Sequence, residues 1–131
     1  MIVDIPQVKA EVEAAFAAYE RALVDNDVEA LDNFFASGDG TIRFGASENL
    51  YGYEAIKAFR AARSPAGLSR ILERTRIVAY GRDMAISATL FRRDSAPGKV
   101  GRQMQTWVRF PQGWRIVAAH VSIIADPEVT P

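Results

Sequence analysis

Residues 102–124 read RQMQTWVRFPQGWRIVAAHVSII, and this stretch decides the fold. Two apolar runs flank the turn at residues 111–113, a pattern that predicts an antiparallel hairpin. The same pattern occurs just before it, where RILERTRIVAY (70–80) and MAISATLFRR (84–93) meet at a Gly-Arg-Asp turn. Two hairpins in series predict a four-stranded antiparallel meander in the second half of the chain.

The first half of the chain carries helical patterns. Apolar residues recur at steps of three and four between Ile5 and Leu23, which predicts one amphipathic helix. Asp27 can N-cap a second helix, and a third is predicted over residues 53–63, before Pro65. The segment 41–45 between them predicts a short strand. Helices followed by strands indicate an α+β domain with the helices packed on one face of the sheet.

The last strand is apolar on both of its faces. A sheet with one face in water alternates apolar and polar side chains, so this pattern predicts that something covers each face. The helices can cover one face, and we expect a second copy of the chain to cover the other, which gives a homodimer through the sheet. By alternation, one face holds Trp114, Ile116, Ala118, His120 and Ser122, and the other holds Arg115, Val117, Ala119, Val121 and Ile123.

Composition narrows the function classes. The 131 residues predict one domain, 1–131, and the formal net charge of zero argues against a nucleic-acid or anionic-membrane surface. There is no cysteine and one histidine, so no metal site is predicted. No apolar run approaches ~18 residues and the first residues lack a secretory pattern, so we expect a cytoplasmic protein that does not span a membrane. Neither a phosphate-binding glycine loop nor a serine-hydrolase elbow is present.

Three blocks in order carry a family resemblance. They are FAAYERALVDNDVEALDNFF (16–35), TIRFGASENLYGYEAIKAFRAAR (41–63) and GRQMQTWVRFPQGWRIVAAHVS (101–122). Together they resemble the AtzH-like family, whose members are also labelled oxalurate catabolism proteins. This family lies in the SnoaL-like group of the nuclear transport factor 2-like (cystatin-like) superfamily. The resemblance implies a cone-shaped fold with three N-terminal helices on a strongly curved, mainly antiparallel sheet.

The resemblance also implies a reaction. The type member is a hydrolase that removes one carboxyl group from 1,3-dicarboxyurea to give allophanate, and relatives belong to oxalurate and purine catabolism. The expected activity is therefore that of an amidohydrolase on non-peptide C–N bonds, without a cofactor, with an amidohydrolase of the pathway as a further possible partner. The family's proposed active residues are a tyrosine on the first helix and an arginine on the first strand. Tyr19 and Arg43 occupy these positions.

The residues themselves leave both assignments open. Tyr19 lies on the inward stripe of the first helix, where it is either a core tyrosine or a hydrogen-bond donor aimed into a pocket. Arg43 alternates with Ile42 and Phe44, so it is either a solvated edge arginine or a cavity residue. A guanidinium holds a carboxylate through two hydrogen bonds, which suits a ureido acid.

His120 is the one histidine of the sequence. A lone histidine in an apolar strand is either a neutral core histidine or part of a pocket wall. In the superfamily that the sequence resembles, this position commonly lines the cone, so the resemblance implies that His120 is a substrate-binding residue in the pocket. Arg63 shares the apolar face of the third helix and can reach the pocket mouth. Further candidates for substrate binding are Tyr51, Trp107 and Ser122, with Gln103 and Gln105 as additional lining residues.

Two other functions remain open at this point. No side chain is an evident base for activating water, which favours a non-catalytic ligand-binding protein or an assembly partner of an amidohydrolase. An isomerase or cyclase of the SnoaL type would need an acid in the pocket. Asp32 is one such acid, but its position on the second helix predicts exposure.

Overall fold

The computed structural model describes residues 1–128, which form three helices and a six-stranded, mostly antiparallel, curled sheet. The strand order is β2-β1-β6-β5-β4-β3, and the β1–β6 pair is the parallel one. The expected α+β class is confirmed. In chain order the elements are α1 (Pro6–Val24), α2 (Val28–Phe34), β1 (Ile42–Phe44), β2 (Asn49–Tyr51), α3 (Tyr53–Ala62), β3 (Ile71–Tyr80), β4 (Met84–Arg92), β5 (Lys99–Phe110) and β6 (Gly113–Ala125).

Local sequence explains where the helices begin and end. Pro6 begins α1, a position where its missing N–H costs nothing. The Asp27 side chain accepts a hydrogen bond from the backbone N–H of Ala30 at 3.2 Å, which confirms the predicted N-cap of α2. Asn26 separates the two helices with φ of 52°, a left-handed conformation that asparagine tolerates. No helix within residues 1–128 is long and apolar enough to cross a bilayer.

The structure contains one short strand, β2, that the sequence did not predict. Residues 49–51 pair antiparallel with β1, so residues 42–51 make a small hairpin at the edge of the sheet. Three residues are too few for a visible alternation of apolar and polar side chains. The hairpin places β1 beside β6, where Arg43 lies opposite Ala119.

The core lies between the helices and the concave face of the sheet. Trp107 and Ile116 are fully buried there, together with the apolar stripe of α1. The polar atoms beside Trp107 are paired: the Trp107 indole N–H donates to Ser87 Oγ at 3.0 Å, and Ser87 donates to Gln105 Oε1 at 3.0 Å. Because these groups satisfy one another, they add no penalty for unpaired polar burial.

A β-bulge in β6 overturns the predicted alternation. Thr106 pairs with Ala118 and Trp107 pairs with Ile116, so Val117 is an extra residue on β6. Before the bulge, Ile116 faces the core. After the bulge, the residues that face inward are odd-numbered, beginning with the buried Ala119. The prediction that His120 and Ser122 share a face with Trp114 was therefore wrong.

The outer face of the sheet carries several large apolar side chains and has no covering element within the described residues. Inward side chains of β4 such as Ser87 are buried, and the alternate ones point outward and are only partly covered. On β5 and β2, Met104 is 54% exposed and Tyr51 is 66% exposed. Monomeric proteins seldom leave large apolar patches in water, so the homodimer through this face stays a prediction.

We expect the purified protein to have twice the 14.4 kDa mass of one chain by light scattering at micromolar concentration. A stable interface of this kind buries about 1,200 Å² or more in total. Met104→Glu puts a charge at the centre of the outer face and should shift the mass to that of one chain. Val24→Glu, a similarly exposed position at the end of α1, is the matched control and should leave the mass unchanged. A wild-type protein with the mass of a single chain would contradict the prediction.

Candidate functional site

A cavity of about 300 Å³ opens between α1, the C-terminal end of α3 and the concave face of the sheet. Arginines and aromatic rings dominate its wall, and its acidic lining residue is Glu48. This cavity is the candidate site because charged and hydrogen-bonding side chains from six different segments converge on it. The lining comprises Tyr19, Leu23, Arg43, Ala46, Glu48, Phe59, Arg63, Ser64, Ala66, Gly67, Leu68, Arg70, Phe91, Arg93, Gln103, Val121 and Ile123.

Tyr19 is held by edge-to-face aromatic contacts. Its ring lies 5.9 Å from Phe34, 6.3 Å from Phe35 and 6.4 Å from Trp107, measured between centroids. The residue is 5% exposed and belongs to the cavity lining. The packing fixes the ring on its core side, and the residue lines the cavity together with Arg63.

Arg43 reaches the same cavity from β1, clamped by a neighbouring carboxylate. Its Nη1 donates to Glu48 Oε1 at 2.9 Å, and the other Glu48 oxygen accepts from the Ser47 hydroxyl at 2.7 Å. Burial raises the pKa of Glu48, but the hydrogen bonds from Ser47 and Arg43 and the charge of Arg43 outweigh it, so the net pKa is lowered. Gly45 makes the clamp possible, since a Cβ there would overlap the Glu48 carboxylate.

Phe91 supports the opposite wall. The guanidinium carbons of Arg70 and Arg93 lie 4.4 and 4.8 Å from the centroid of its ring, within cation–π range. Phe91 pairs with Gly101 on β5, and a Cβ at Gly101 would overlap the ring. Glycine at this position therefore lets the aromatic platform lie flat against the sheet.

Among the described residues 1–128, two of the four cavity arginines have a carboxylate partner and two have none. Arg43 is paired with Glu48, and Arg70 is paired with Glu20, to which its Nε donates at 3.1 Å. Within residues 1–128, neither Arg63 nor Arg93 has an ion-pair partner within 4 Å. The cavity therefore carries an excess of positive charge.

The pKa values of the two unpaired arginines reflect that excess. Burial lowers the pKa of Arg63 first, and the charge of Arg60 lowers it further. For Arg93, burial again comes first and the charge of Arg70 second, with Glu20 acting in the opposite direction. Both shifts have the same physical meaning: the charged form would be stabilised by an anion in the cavity.

Three buried donors in the described chain lack a partner, and all three line this cavity. They are Arg63 Nε, Arg93 Nε and the amide nitrogen of Gln103. Buried N–H groups are nearly always hydrogen-bonded, so three orphans around one cavity indicate a site for a molecule rich in acceptors.

Tyr19, Arg43, Arg63 and Gln103 are thus brought together, but the other predicted site residues lie elsewhere. His120 is exposed on the outer face, with its ring 6.1 Å from that of Phe44. Tyr51 also lies on the outer face, and the centroid of its ring is 5.7 Å from that of Phe44. The Ser122 hydroxyl accepts from Arg102 Nε at 3.1 Å on the same outer face. The sequence prediction put His120 and Ser122 on the wrong face because it did not include the bulge at Val117.

Two further expectations need correction. Trp107 is fully buried beneath Tyr19 and belongs to the core, because its indole N–H is used by Ser87. Asp32 is buried instead of exposed, because Arg60 of α3 reaches across to form an ion pair with it. Asp32 lies outside the cavity lining, so it does not supply the acid that an isomerase or cyclase would need.

Sequence reasoning missed the cavity residues Glu48, Arg70 and Arg93. A signal for Arg93 existed: continued alternation along β4 puts it on the inward side with Phe91 and Thr89. Glu48 carried no such signal, because it lies in the turn between β1 and β2. Its role depends on the fold-back that Gly45 allows.

Other hollows offer less chemistry. A larger one, about 560 Å³, lies beside the segment 35–41, and its charged residue Arg115 donates to the backbone oxygens of Trp114 and Gln112. Within residues 1–128, no group of three or more His, Asp or Glu side chains is placed to hold a metal ion.

Comparison with known proteins gives a consistent result. The AtzH-like family model matches residues 1–127. No match is found among the curated proteins. A crystal structure from Pectobacterium atrosepticum, a DUF3225-family protein described as having unknown function, is 55% identical, covering 94% of this chain and 95% of that chain with a TM-score of 0.91.

Two further solved structures extend the comparison. A cystatin-like fold protein from Burkholderia xenovorans is 49% identical, covering 97% of this chain and 99% of its own, with a TM-score of 0.93. An NTF2-like protein of unknown function from Pseudomonas putida is 19% identical, covering 95% and 92%, with a TM-score of 0.76. The last likeness shows the fold alone, which is the NTF2-like, cystatin-like fold.

Gly101→Ala should lower the free energy of unfolding by about 1–3 kcal/mol, the usual cost of overpacking a dense site. The added methyl group must displace the Phe91 ring, and the ring carries Arg70 and Arg93. Gly40→Ala is the matched control, because a Cβ there meets nothing within 4 Å. Urea unfolding of both variants checks the prediction, and equal stabilities would contradict the platform role of Phe91.

Proposed function

Because this chain belongs to the AtzH-like family, we propose that it is a hydrolase of small ureido carboxylates. The substrate we propose resembles 1,3-dicarboxyurea, and the product is allophanate. No cofactor is required for this chemistry. Tyr19 and Arg43 are the proposed catalytic pair, and Arg63 is the proposed substrate-binding residue beside them.

The observation that carries the proposal is the set of unpaired donors. Arg63 Nε, Arg93 Nε and the Gln103 amide nitrogen surround one cavity that Tyr19 also lines. A ureido carboxylate consists almost entirely of acceptor oxygens and planar N–H groups, so it can satisfy these donors. A volume of about 300 Å³ lies at the lower end of the ~300–1,000 Å³ range of small-molecule sites and suits a small polar substrate.

The proposed roles follow from the positions of the side chains. Arg43 is held by Glu48 with its remaining N–H groups free for a carboxylate, and Arg63 adds a second positive charge nearby. Tyr19 donates its phenolic proton to the nitrogen that leaves. Because the site is partly buried, these contacts are stronger than they would be in water.

The proposed step adds water to one terminal carboxyl carbon. The C–N bond to that carbon breaks, the electron pair goes to nitrogen, and Tyr19 supplies the proton that nitrogen takes up. The products are allophanate and bicarbonate, and the proton released by the attacking water restores Tyr19. The dianionic substrate and one water therefore become two monoanions, and both atoms and charge balance.

Glu48 has a supporting role in this proposal. Both of its oxygens accept hydrogen bonds, and its lowered pKa makes it a weak base. It is the carboxylate of the described lining, and it holds the Arg43 guanidinium in a fixed orientation. We therefore assign it to positioning instead of proton abstraction.

Tyr19→Phe should lower turnover of 1,3-dicarboxyurea by about 100-fold or more, the scale of a lost general acid. The fold should survive, since the ring keeps its three aromatic contacts. Arg43→Lys keeps the charge but not the two-pronged geometry, and it should lose activity to a similar extent. Tyr80→Phe, half-exposed on β3 and outside the cavity, is the control and should retain full turnover.

Mass spectrometry of the products and melting temperatures of all variants check this prediction. If wild-type protein binds the substrate but releases no allophanate, the protein is a binding module and the hydrolase proposal fails. If Tyr19→Phe loses stability and retains turnover, Tyr19 is only a core residue.

A further inference from the structure

The wall of the cavity away from Tyr19 has a binding arrangement of its own. Gln103 Oε1 accepts a hydrogen bond from Arg70 Nη2 at 3.0 Å, which fixes the orientation of the amide. The other amide atom of Gln103, Nε2, is then a buried donor without a hydrogen-bond partner. Arg93 packs on the Phe91 ring, and its Nε has no hydrogen-bond partner within the described residues. Two unpaired donors, one just after β4 and one on β5, thus belong to residues that line the same cavity.

The charges of the arginines in the cavity wall and of their carboxylate partners indicate how many anionic groups the cavity accepts. The positive charges of Arg43 and Arg70 are balanced by Glu48 and Glu20. Arg63 and Arg93 have no carboxylate of the described chain within ion-pair distance, and both are half-buried. A half-buried charge is costly without a counter-ion, so the cavity is balanced by two negative charges.

The two unpaired charges come from different elements of the fold. Arg63 comes from the C-terminal end of α3, beside Tyr19 and Arg43, whereas Arg93 follows β4 and lies over Phe91. Each guanidinium has at least one free donor of its own. A ligand with its two negative charges at opposite ends fits this division better than a ligand with both charges on one atom group.

We propose that Arg93 and Gln103 form a second subsite, which binds the distal carboxylate of a small dicarboxylate while Arg43 and Arg63 hold the first one beside Tyr19. This assignment rests on the proposed function for the identity of the first subsite. It makes Arg93 and Gln103 specificity-determining residues that select dicarboxylates over monocarboxylates.

The experiment compares two stable probes by calorimetry. Glutarate has a carboxylate at each end of a five-carbon chain, and butyrate lacks the second one. Wild-type protein should bind glutarate about tenfold or more tightly than butyrate, as expected for hydrogen bonds to a charged group. Arg93→Met keeps much of the side-chain length over Phe91 and should remove this preference. Butyrate affinity should stay within about twofold, since its carboxylate occupies the first subsite.

Matched variants exclude a general effect of lost charge. Arg82→Met removes an arginine from an exposed turn and should leave both affinities unchanged. Arg93→Lys keeps the positive charge and should retain part of the glutarate preference. Gln103→Leu provides a second test if Arg93→Met lowers the melting temperature, and it should also weaken glutarate selectively.

The outcomes separate this proposal from the hydrolase proposal. If Arg93→Met weakens glutarate and butyrate equally, or neither, the second subsite is wrong. If inorganic phosphate binds more tightly than glutarate and depends on Arg93, the site takes a compact dianion and the dicarboxylate assignment is overturned. If glutarate is selected as expected but 1,3-dicarboxyurea is not turned over, the subsite stands and the hydrolase proposal fails.

Discussion

Positive charge held inside a partly buried cavity is the constraint on which the site depends. Guanidiniums repel one another and lose hydration when they leave water, and the lowered pKa values of Arg63 and Arg93 record that cost. Cation–π contacts with aromatic rings, and ion pairs with two carboxylates outside or at the edge of the cavity, offset part of this cost. The remaining imbalance is the driving force that we assign to ligand binding.

The fold delivers these charges through close approaches that only glycine permits. Gly101 lets the Phe91 ring lie against β5, and Gly45 lets Glu48 fold back onto Arg43. Neither glycine lines the cavity, but each one positions the side chain that positions an arginine. Substitution at either glycine is therefore expected to disturb the site without adding atoms to the cavity lining.

The sequence predicted the architecture well, because each long element carries its own periodic signal. The stripe of α1 placed Tyr19 inward, and the short strand around Arg43 placed that side chain on the face opposite its neighbours. The prediction failed for His120, because one inserted residue at Val117 reverses the alternation beyond it. Arg93 could have been found by following the alternation to the end of the predicted strand, residues 84–93.

The other side-chain placements depend on contacts between elements, which no periodic pattern along one element encodes. Asp32 looked exposed on its own helix, but Arg60 from the next helix buries it as an ion pair. Glu48 belongs to a turn, where neither the helical nor the strand period applies. Sequence patterns thus predict which face of an element a residue occupies, and they do not predict which partner from another element reaches it.

The central claim is that the cavity binds a small molecule with an anionic acceptor at each end. A crystal structure of the protein grown with saturating glutarate tests it most directly. The account predicts one glutarate in this cavity, with carboxylate oxygens about 2.7–3.2 Å from Arg63 Nε, Arg93 Nε and the Gln103 amide nitrogen. Density for glutarate elsewhere, or a cavity in which those three donors bind only water, would contradict it.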